Sequence, residues 1–229
     1  MTIIISVETS SELASAALLR DNQVLMRETS GVHTHSQTIL PMVQSLLAQA
    51  GMTLAECDAV AFGAGPGSFT GVRTACGIAQ GLAFGLDLPV VPIVTLEAMA
   101  EACRATTGAT DVLAILDARM GEVYWAQYRF LDQWQVVVEP VLSAPAEVSP
   151  SGVVVACGNG LAAYAADFQS QPLIQTSHST LMPHATHVAQ LARLALIQGR
   201  NVAARDAQPI YLRNKVALTI NERLTRINA

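Results

Sequence analysis

The chain has 229 residues, of which 51% are hydrophobic and 14% are charged, and its formal net charge is −5. This length suits one or two domains with a substantial core, while the acidic balance disfavours nucleic-acid binding by the chain alone. The four cysteines form no CxxC pair and suit small buried thiols in a reducing compartment. Because no segment resembles a secretory signal or reaches the length of a membrane span, we expect a cytoplasmic protein without membrane contact.

The first part of the chain predicts a hairpin of strands followed by a helix. Apolar and β-branched runs predict three strands, over 2–7, 13–19 and 23–28. Asp21 lies at the hairpin turn between the second and third strands. Apolar residues at 3.6-residue spacing predict a helix over 34–50, which ends before Gly51. His33 and His35 flank the start of this helix, where a capping and surface role competes with metal binding.

A glycine-rich stretch follows the next predicted strand, 58–62. Residues 63–73, GAGPGSFTGVR, predict a sharp turn that leads into a helix over 70–86, with Thr70 as the N-cap candidate. The backbone N–H groups of such a turn can converge on an anion. Its glycine spacing matches neither a Walker A loop nor the dinucleotide fingerprint, and a purely structural turn is the alternative. The candidate anion- or nucleotide-binding residues are Gly65, Gly67, Ser68 and Arg73.

The helix after this turn carries three glycines four residues apart, Gly77, Gly81 and Gly85. Each glycine costs a helix about 1 kcal/mol relative to alanine, a cost that a closely packed neighbour would offset. That neighbour is either in the same lobe or in another subunit. We expect the helices over 34–50 and 70–86 to form a partner surface through Ile39, Met42, Val43, Leu46, Leu47, Arg73, Cys76, Gly77, Gln80 and Gly81.

The rest of the chain repeats the strand-rich layout of its beginning. Its predicted strands are 89–94, 111–116, 123–130, 135–142 and 153–156, and its predicted helices are 95–106, a short helix that ends at 168, and 185–198. Gly108 lies at a plausible boundary between the two parts. The chain therefore predicts two related α/β lobes, 1–107 and a smaller, degenerate 108–229, each a mixed sheet with flanking helices.

Two pairs of titratable residues in the second lobe admit more than one role. Asp117 and Glu122 flank a turn, where general acid–base chemistry competes with the commoner capping of turn backbone. His184 and His187 share one face at the start of the helix over 185–198. Because no carboxylate lies near them in sequence, we expect surface histidines rather than metal ligands.

Three strings in this chain resemble the TsaB (YeaZ) family closely: IISVETS at 4–10, GAGPGSFTGVR at 63–73 and LDARMGEVYWAQY at 116–128. The resemblance extends over nearly the whole chain and is weakest at about 145–180. It implies the two-lobed fold of the actin/sugar-kinase/Hsp70 (ASKHA) superfamily. It also implies that the chain is a paralogue of the TsaD enzyme.

The resemblance implies a non-catalytic subunit rather than an enzyme. TsaB proteins pair with TsaD and act with the ATPase TsaE in threonylcarbamoyl transfer to the adenosine next to the anticodon of tRNA. The implied partners are therefore a TsaD-type paralogue and a TsaE-type ATPase, with tRNA contacted only through the complex. Two copies of the chain are expected to pair through the same helices when TsaD is absent.

The chain departs from the enzymes of the superfamily at three positions. Thr95 and Met99 stand where TsaD carries the two histidines of its metal site, and neither residue suits that metal. Glu8 stands where the superfamily's phosphate loop usually opens with aspartate. We therefore expect no metal, no catalytic residue and no cofactor, with weak ATP or ADP binding at a partner interface left open. The alternatives are a stand-alone glycoprotease-like metallopeptidase and a weak nucleotide-binding ASKHA protein.

Overall fold

The computed structural model describes residues 2–30 and 35–213. His33 lies outside this part, and so do residues 217–229, whose polar sequence predicts a mobile or partner-ordered end. The first sheet has the strand order β3-β2-β1-β4-β5 and consists of β1 (Ile3–Glu8), β2 (Leu13–Arg20), β3 (Gln23–Ser30), β4 (Ala59–Gly65) and β5 (Val90–Val94). The second has the order β10-β9-β6-β7-β8 and consists of β6 (Asp111–Arg119), β7 (Glu122–Phe130), β8 (Trp134–Ser143), β9 (Val154–Cys157) and β10 (Ile174–His178).

The two sheets share one connection pattern. In the first, β1 runs antiparallel to β2 and parallel to β4. In the second, β6 runs antiparallel to β7 and parallel to β9. The repeat confirms the predicted fold class, two α/β lobes that each contain a mixed sheet.

Six α-helices lie in the described part of the chain: α1 (His35–Ala50), α2 (Phe69–Phe84), α3 (Thr95–Thr107), α4 (Gly160–Ala163), α5 (Ala165–Phe168) and α6 (Ala185–Ile197). Short 3₁₀ turns occur at Leu54–Glu56, Pro145–Glu147 and Ala204–Asp206. None of these helices is both long and apolar enough to cross a lipid bilayer.

The first sheet is covered on both faces, which explains why its central strands are almost continuously apolar. On one face, α1 and α2 pack Ile39 and Ala79 into a core with Phe62. On the other face, α6 packs Val188 and Ala192 against strands β1, β4 and β5. Burying apolar side chains in this way contributes about 25 cal/mol for each Å² removed from water.

Helices α3 and α6 link the two lobes. Met99 and Cys103 of α3 pack with Tyr128 of the second sheet in one cluster. Helix α6 follows residue 108 in the chain but packs on the first sheet. The predicted division into 1–107 and 108–229 did not anticipate this return, and it remains a sequence-based proposal.

Strands β10 and β4 are two of the places where the structure differs from the sequence-based boundaries. Strand β10 was not predicted, because Ile174–His178 is mostly polar and forms the half-exposed edge of its sheet. Strand β4 was predicted to end at Phe62 but continues to Gly65, with an irregular register against β5 between Gly63 and Gly65. The extension carries the glycine-rich stretch up to the site described below.

Candidate functional site

The glycine turn over 63–73 packs directly against the loop that follows β1. The Ser68 N–H donates to the Ser10 carbonyl at 2.7 Å, and the Thr9 hydroxyl donates to the Gly71 carbonyl at 2.7 Å. A Cβ atom at Gly67 would lie 2.6 Å from the Ser10 carbonyl oxygen, and one at Gly71 would collide with the Thr9 carbonyl. Glycine is therefore required at both positions for the two loops to touch.

Several N–H groups of the turn are used inside the protein. The Gly65 N–H donates to Thr95 Oγ1 at 3.1 Å, and the Gly71 N–H donates to Ser68 Oγ at 3.4 Å. Ser68 is thus the N-cap of α2, and the prediction of Thr70 as N-cap is wrong. These contacts support the structural role of the turn, which is one of the two roles that its sequence allows, the other being anion binding.

Arg73 lies on the exposed side of α2, in contact with two aromatic residues. Its Nε donates to the Tyr211 hydroxyl at 2.7 Å, and its guanidinium carbon lies 3.5 Å from the centroid of the Phe69 ring. Such a cation–π contact contributes about 0.5–1 kcal/mol at an exposed site. Arg73 forms no ion pair with any residue in 2–30 or 35–213.

A cavity of about 470 Å³ lies between the two lobes. Its walls are the loop after β1, the start of α2, the β6–β7 turn and the segment 210–213. Of the four candidate anion-binding residues, Gly67 and Ser68 line this cleft, while Gly65 and Arg73 do not. The four residues therefore do not converge on one site, because Gly65 is buried and Arg73 lies on the exposed side of α2.

The charged side chains of the cleft are paired with one another. Arg119 lies 3.0 Å from Asp117 and 3.1 Å from Glu12 of the opposite lobe. Asp117 Oδ1 also accepts the Arg119 backbone N–H at 2.8 Å, which is the turn-capping arrangement. Arg213 pairs with Glu122 at 2.7 Å. Because both Asp117 and Glu122 hold the turn and its neighbours in place, their arrangement gives no support to acid–base chemistry.

Glu8 is fully buried beneath the cleft rather than exposed in it. Its Oε1 accepts the Ser10 N–H at 2.6 Å, and its carboxyl group occupies the space that a Cβ at Gly63 would need. Burial raises the pKa of the Glu8 carboxyl, while hydrogen bonds from Ser10 oppose the shift. Glu8 is not among the residues that line the cleft, so this position offers no carboxylate to a metal–nucleotide there.

Thr95 and Met99 are both completely buried. Thr95 binds the Gly65 N–H, and the Met99 carbonyl accepts the Cys157 thiol at 3.7 Å. Both residues therefore serve the packing of α3 at this position. Within 2–30 and 35–213, no group of three His, Cys, Asp or Glu residues is placed to hold a metal ion.

Sequence comparison gives two kinds of match. A family model described as TsaD, tRNA N6-adenosine threonylcarbamoyltransferase, matches residues 19–224. The Escherichia coli tRNA threonylcarbamoyladenosine biosynthesis protein TsaB is 39% identical over 221 residues, covering 93% of this chain and 96% of that protein. The Haemophilus influenzae protein of the same name is 38% identical over 225 residues, covering 93% and 94%.

Structural comparison agrees with these matches. YeaZ from Pseudomonas aeruginosa superposes with a TM-score of 0.86 at 36% identity, covering 93% of this chain and 100% of that one. The chain belongs to the TsaB (YeaZ) family. The resemblance carried by the three sequence strings is therefore confirmed, and with it the two-lobed ASKHA fold of TsaB.

The predicted partner surface of this TsaB-family chain divides into buried and accessible residues. Ile39, Val43, Leu46 and Cys76 are buried in the core, and Met42 and Leu47 pack against it. Gln80 is half-buried and donates to the Ala207 carbonyl at 3.0 Å. Gly77 and Gly81 are exposed, and a Cβ at either would meet no atom within 4 Å. The residues available to a partner are those on the outer face of α2, while the buried ones shape the helices from within.

The surroundings of His184 differ from those that the sequence predicts. His184 Nε2 lies 3.2 Å from a Glu28 carboxylate oxygen, and His184 Nδ1 accepts the Thr186 N–H at the start of α6. Burial lowers the pKa of His184, and the charge of Glu28 opposes that shift. The expectation of a surface histidine without a carboxylate partner is wrong. Glu28 comes from β3, so no local sequence signal could have revealed it.

Proposed function

We propose that this protein is a non-catalytic subunit that pairs with a TsaD-type paralogue. Together with a TsaE-type ATPase, the pair would transfer threonylcarbamoyl to the adenosine next to the anticodon of tRNA. The names of the E. coli and H. influenzae relatives support the tRNA threonylcarbamoyladenosine pathway. The observation that carries the non-catalytic role is the complete burial of Thr95 and Met99, at the position where the resemblance places the paralogue's metal pair.

The outer face of α2 supports pairing with another subunit. Gly77, Gly81 and Gly85 form an exposed strip without side chains, and Phe84 beside them is 75% exposed. A backbone or helix of a partner can approach such a strip closely, and the phenyl ring would lose its contact with water. Pairing of two copies through this face, when the paralogue is absent, is part of the same proposal. We place this activity in the cytoplasm, with tRNA contacted only through the complex.

Reconstitution tests the proposed subunit directly. Purified TsaD-type and TsaE-type proteins, tRNA and threonylcarbamoyl-adenylate would be incubated with and without this protein, and modified adenosine would be quantified. We expect modification only when the protein is present. Equal modification without it would contradict the proposal and direct attention to the metallopeptidase alternative, beginning with metal analysis of the purified chain.

The interlobe cleft supports a second candidate, weak ATP or ADP binding without hydrolysis. Its volume of about 470 Å³ accommodates a nucleoside-sized ligand, and Ser68 lines it at the N-terminal end of α2. Calorimetric titration with ADP, using the chain alone and then its complex with the paralogue, tests this candidate. Saturable binding to either form would support it, and heat of dilution alone in both would contradict it.

A further inference from the structure

A second cavity, of about 240 Å³, lies where α3, the β7–β8 turn and α6 meet. It shares no lining residue with the interlobe cleft. Helix α3 contributes Glu97, Glu101 and Arg104, and the turn contributes the aromatic wall of Phe130 and Trp134. This is a polar cavity with an aromatic side, and the proposed subunit role does not use it.

Direct contacts hold two of its charged residues in place. The Trp134 indole N–H donates to Glu101 Oε2 at 2.7 Å. The Arg104 guanidinium carbon lies 3.6 Å from the centroid of the Phe130 ring. Phe130 and Trp134 in turn stack edge-on, with their ring centroids 5.2 Å apart. The cavity wall is therefore organised before any ligand arrives, which reduces the entropy cost of binding.

Arg104 lines this cavity, and its guanidinium forms no ion pair with any residue in 2–30 or 35–213. Tyr128 lies behind this wall and does not line the cavity; it is 1% exposed and packs edge-on against Trp134, with ring centroids 6.3 Å apart. Enclosing a charged group costs free energy unless the charge is paired. The Arg104 guanidinium is therefore positioned to pair with an anionic group of a ligand in the cavity.

Glu97 supplies a largely enclosed carboxyl group on the same wall. Burial raises its pKa, the positive charge of Arg200 opposes the shift, and the negative charge of Glu101 adds to it. Glu97 forms no ion pair with any residue in the described ranges. An ammonium group bound beside Glu97 would lower the cost of ionising it.

We propose that this cavity binds a small zwitterion of the α-amino-acid class. The ammonium group faces Glu97 and Glu101, and the carboxylate faces Arg104 and Arg200. Both signs of charge line one cavity of amino-acid size, which fits a ligand that carries both charges better than a simple cation or anion. The site does not depend on the proposed subunit role.

Calorimetric titration of the full chain with a panel of L-amino acids tests the site. We expect saturable binding of at least one of them, and binding weaker by about tenfold for its amine-only and acid-only analogues. Glu97→Gln and Arg104→Gln should each weaken binding by about tenfold or more. Asp167→Asn, the same acid-to-amide change at an exposed position of α5, should leave it unchanged.

A second measurement avoids the risk that a variant fails to fold. The chain has two tryptophans, so its wild-type NMR spectrum contains two indole N–H signals, from Trp134 at the cavity and Trp125 away from it. Titration should shift the Trp134 signal and leave the Trp125 signal in place. No shift at about 10 mM amino acid, equal binding of the amine-only or acid-only analogue, or unchanged affinity in Glu97→Gln would each overturn the proposal.

Discussion

Single glycines determine how closely the loops at the interlobe cleft approach each other. Gly67 and Gly71 lie against the backbone of Ser10 and Thr9, so these two glycines have no room for a side chain. Gly77, two turns of α2 further on, has open space at the same helix. The same substitution therefore has opposite consequences at two nearby positions.

Replacing Gly71 by alanine should destabilise the protein, because the added methyl group would collide with the Thr9 carbonyl. We expect the free energy of unfolding to fall by about 1–3 kcal/mol, the usual cost of overpacking. Gly77→Ala is the matched control and should stabilise α2 by about 1 kcal/mol. Urea denaturation measures the free energy of unfolding of both variants. Equal changes in the two variants would contradict the close contact between Gly71 and the Thr9 carbonyl.

Glu8 should make stability depend on pH. Its folded pKa is raised, chiefly by burial, so its contribution to stability is complete below the ordinary value of 4.5 and is lost as pH rises through the folded pKa. Glu8→Gln cannot ionise, so the variant should become more stable relative to the wild type as the pH increases. Denaturation midpoints of both proteins from about pH 4 to about pH 8 measure this trend. A difference that stays constant with pH would refute it.

At the scale of elements, the outer face of α2 is the part of the predicted interface that a partner can reach. Leu46 and Ala79 are completely buried, so arginine at either position would test folding rather than association. Gly81 is exposed with no atom within 4 Å of its added Cβ, so a long side chain fits there in the free chain. That difference decides which substitution can probe the interface.

Gly81→Arg should block association with the TsaD-type paralogue while the free chain stays folded. The arginine side chain would occupy the strip that the partner approaches, and we expect binding weaker by at least about tenfold. Analytical gel filtration and calorimetry with the purified paralogue measure the loss. Ala166→Arg, at an exposed position of α5, is the control. Equal affinity of the two variants would exclude this face as the interface.

At the scale of the whole molecule, the segment 207–213 connects the two lobes. The Ala207 carbonyl accepts the side-chain amide of Gln80 in α2, and the Ile210 N–H donates to the Ala64 carbonyl at 2.7 Å. On the other side, Arg213 pairs with Glu122 at 2.7 Å and donates to the Ala118 carbonyl at 3.0 Å. The segment therefore couples α2 to the β6–β7 turn.

Arg213→Ala should loosen the connection between the lobes. The guanidinium is largely buried, so we expect a loss of about 1–2 kcal/mol and faster amide exchange in residues 118–122. Arg205→Ala removes an exposed ion pair with Asp206 and should change stability by less than about 0.5 kcal/mol. Denaturation measures the stability of both variants, and hydrogen exchange measures the opening of residues 118–122 in each. Unchanged exchange at 118–122 in Arg213→Ala would show that the lobes are held by other contacts.

The sequence by itself determined the family and the fold class, because both follow from local patterns. Apolar periodicity predicted β1 to β9 and the four longer helices near their observed bounds, and the string over 63–73 identified the family. The same string predicted the glycine turn, for which both a structural role and anion binding were compatible with the sequence. Turn capping by Asp117 was likewise one of the two roles predicted from the sequence, because a turn is formed by residues that are close together in the chain.

Only the tertiary structure decided which residues face one another. It brought Glu28 to His184, Tyr211 to Arg73 and Glu12 to Arg119, and it returned α6 to the first sheet. It also turned Ile39 and Leu46 into the core and left Gly81 exposed on the outer face of α2. These outcomes depend on contacts between residues far apart in the chain, and such contacts are set by the packing of whole elements, which a local pattern does not encode.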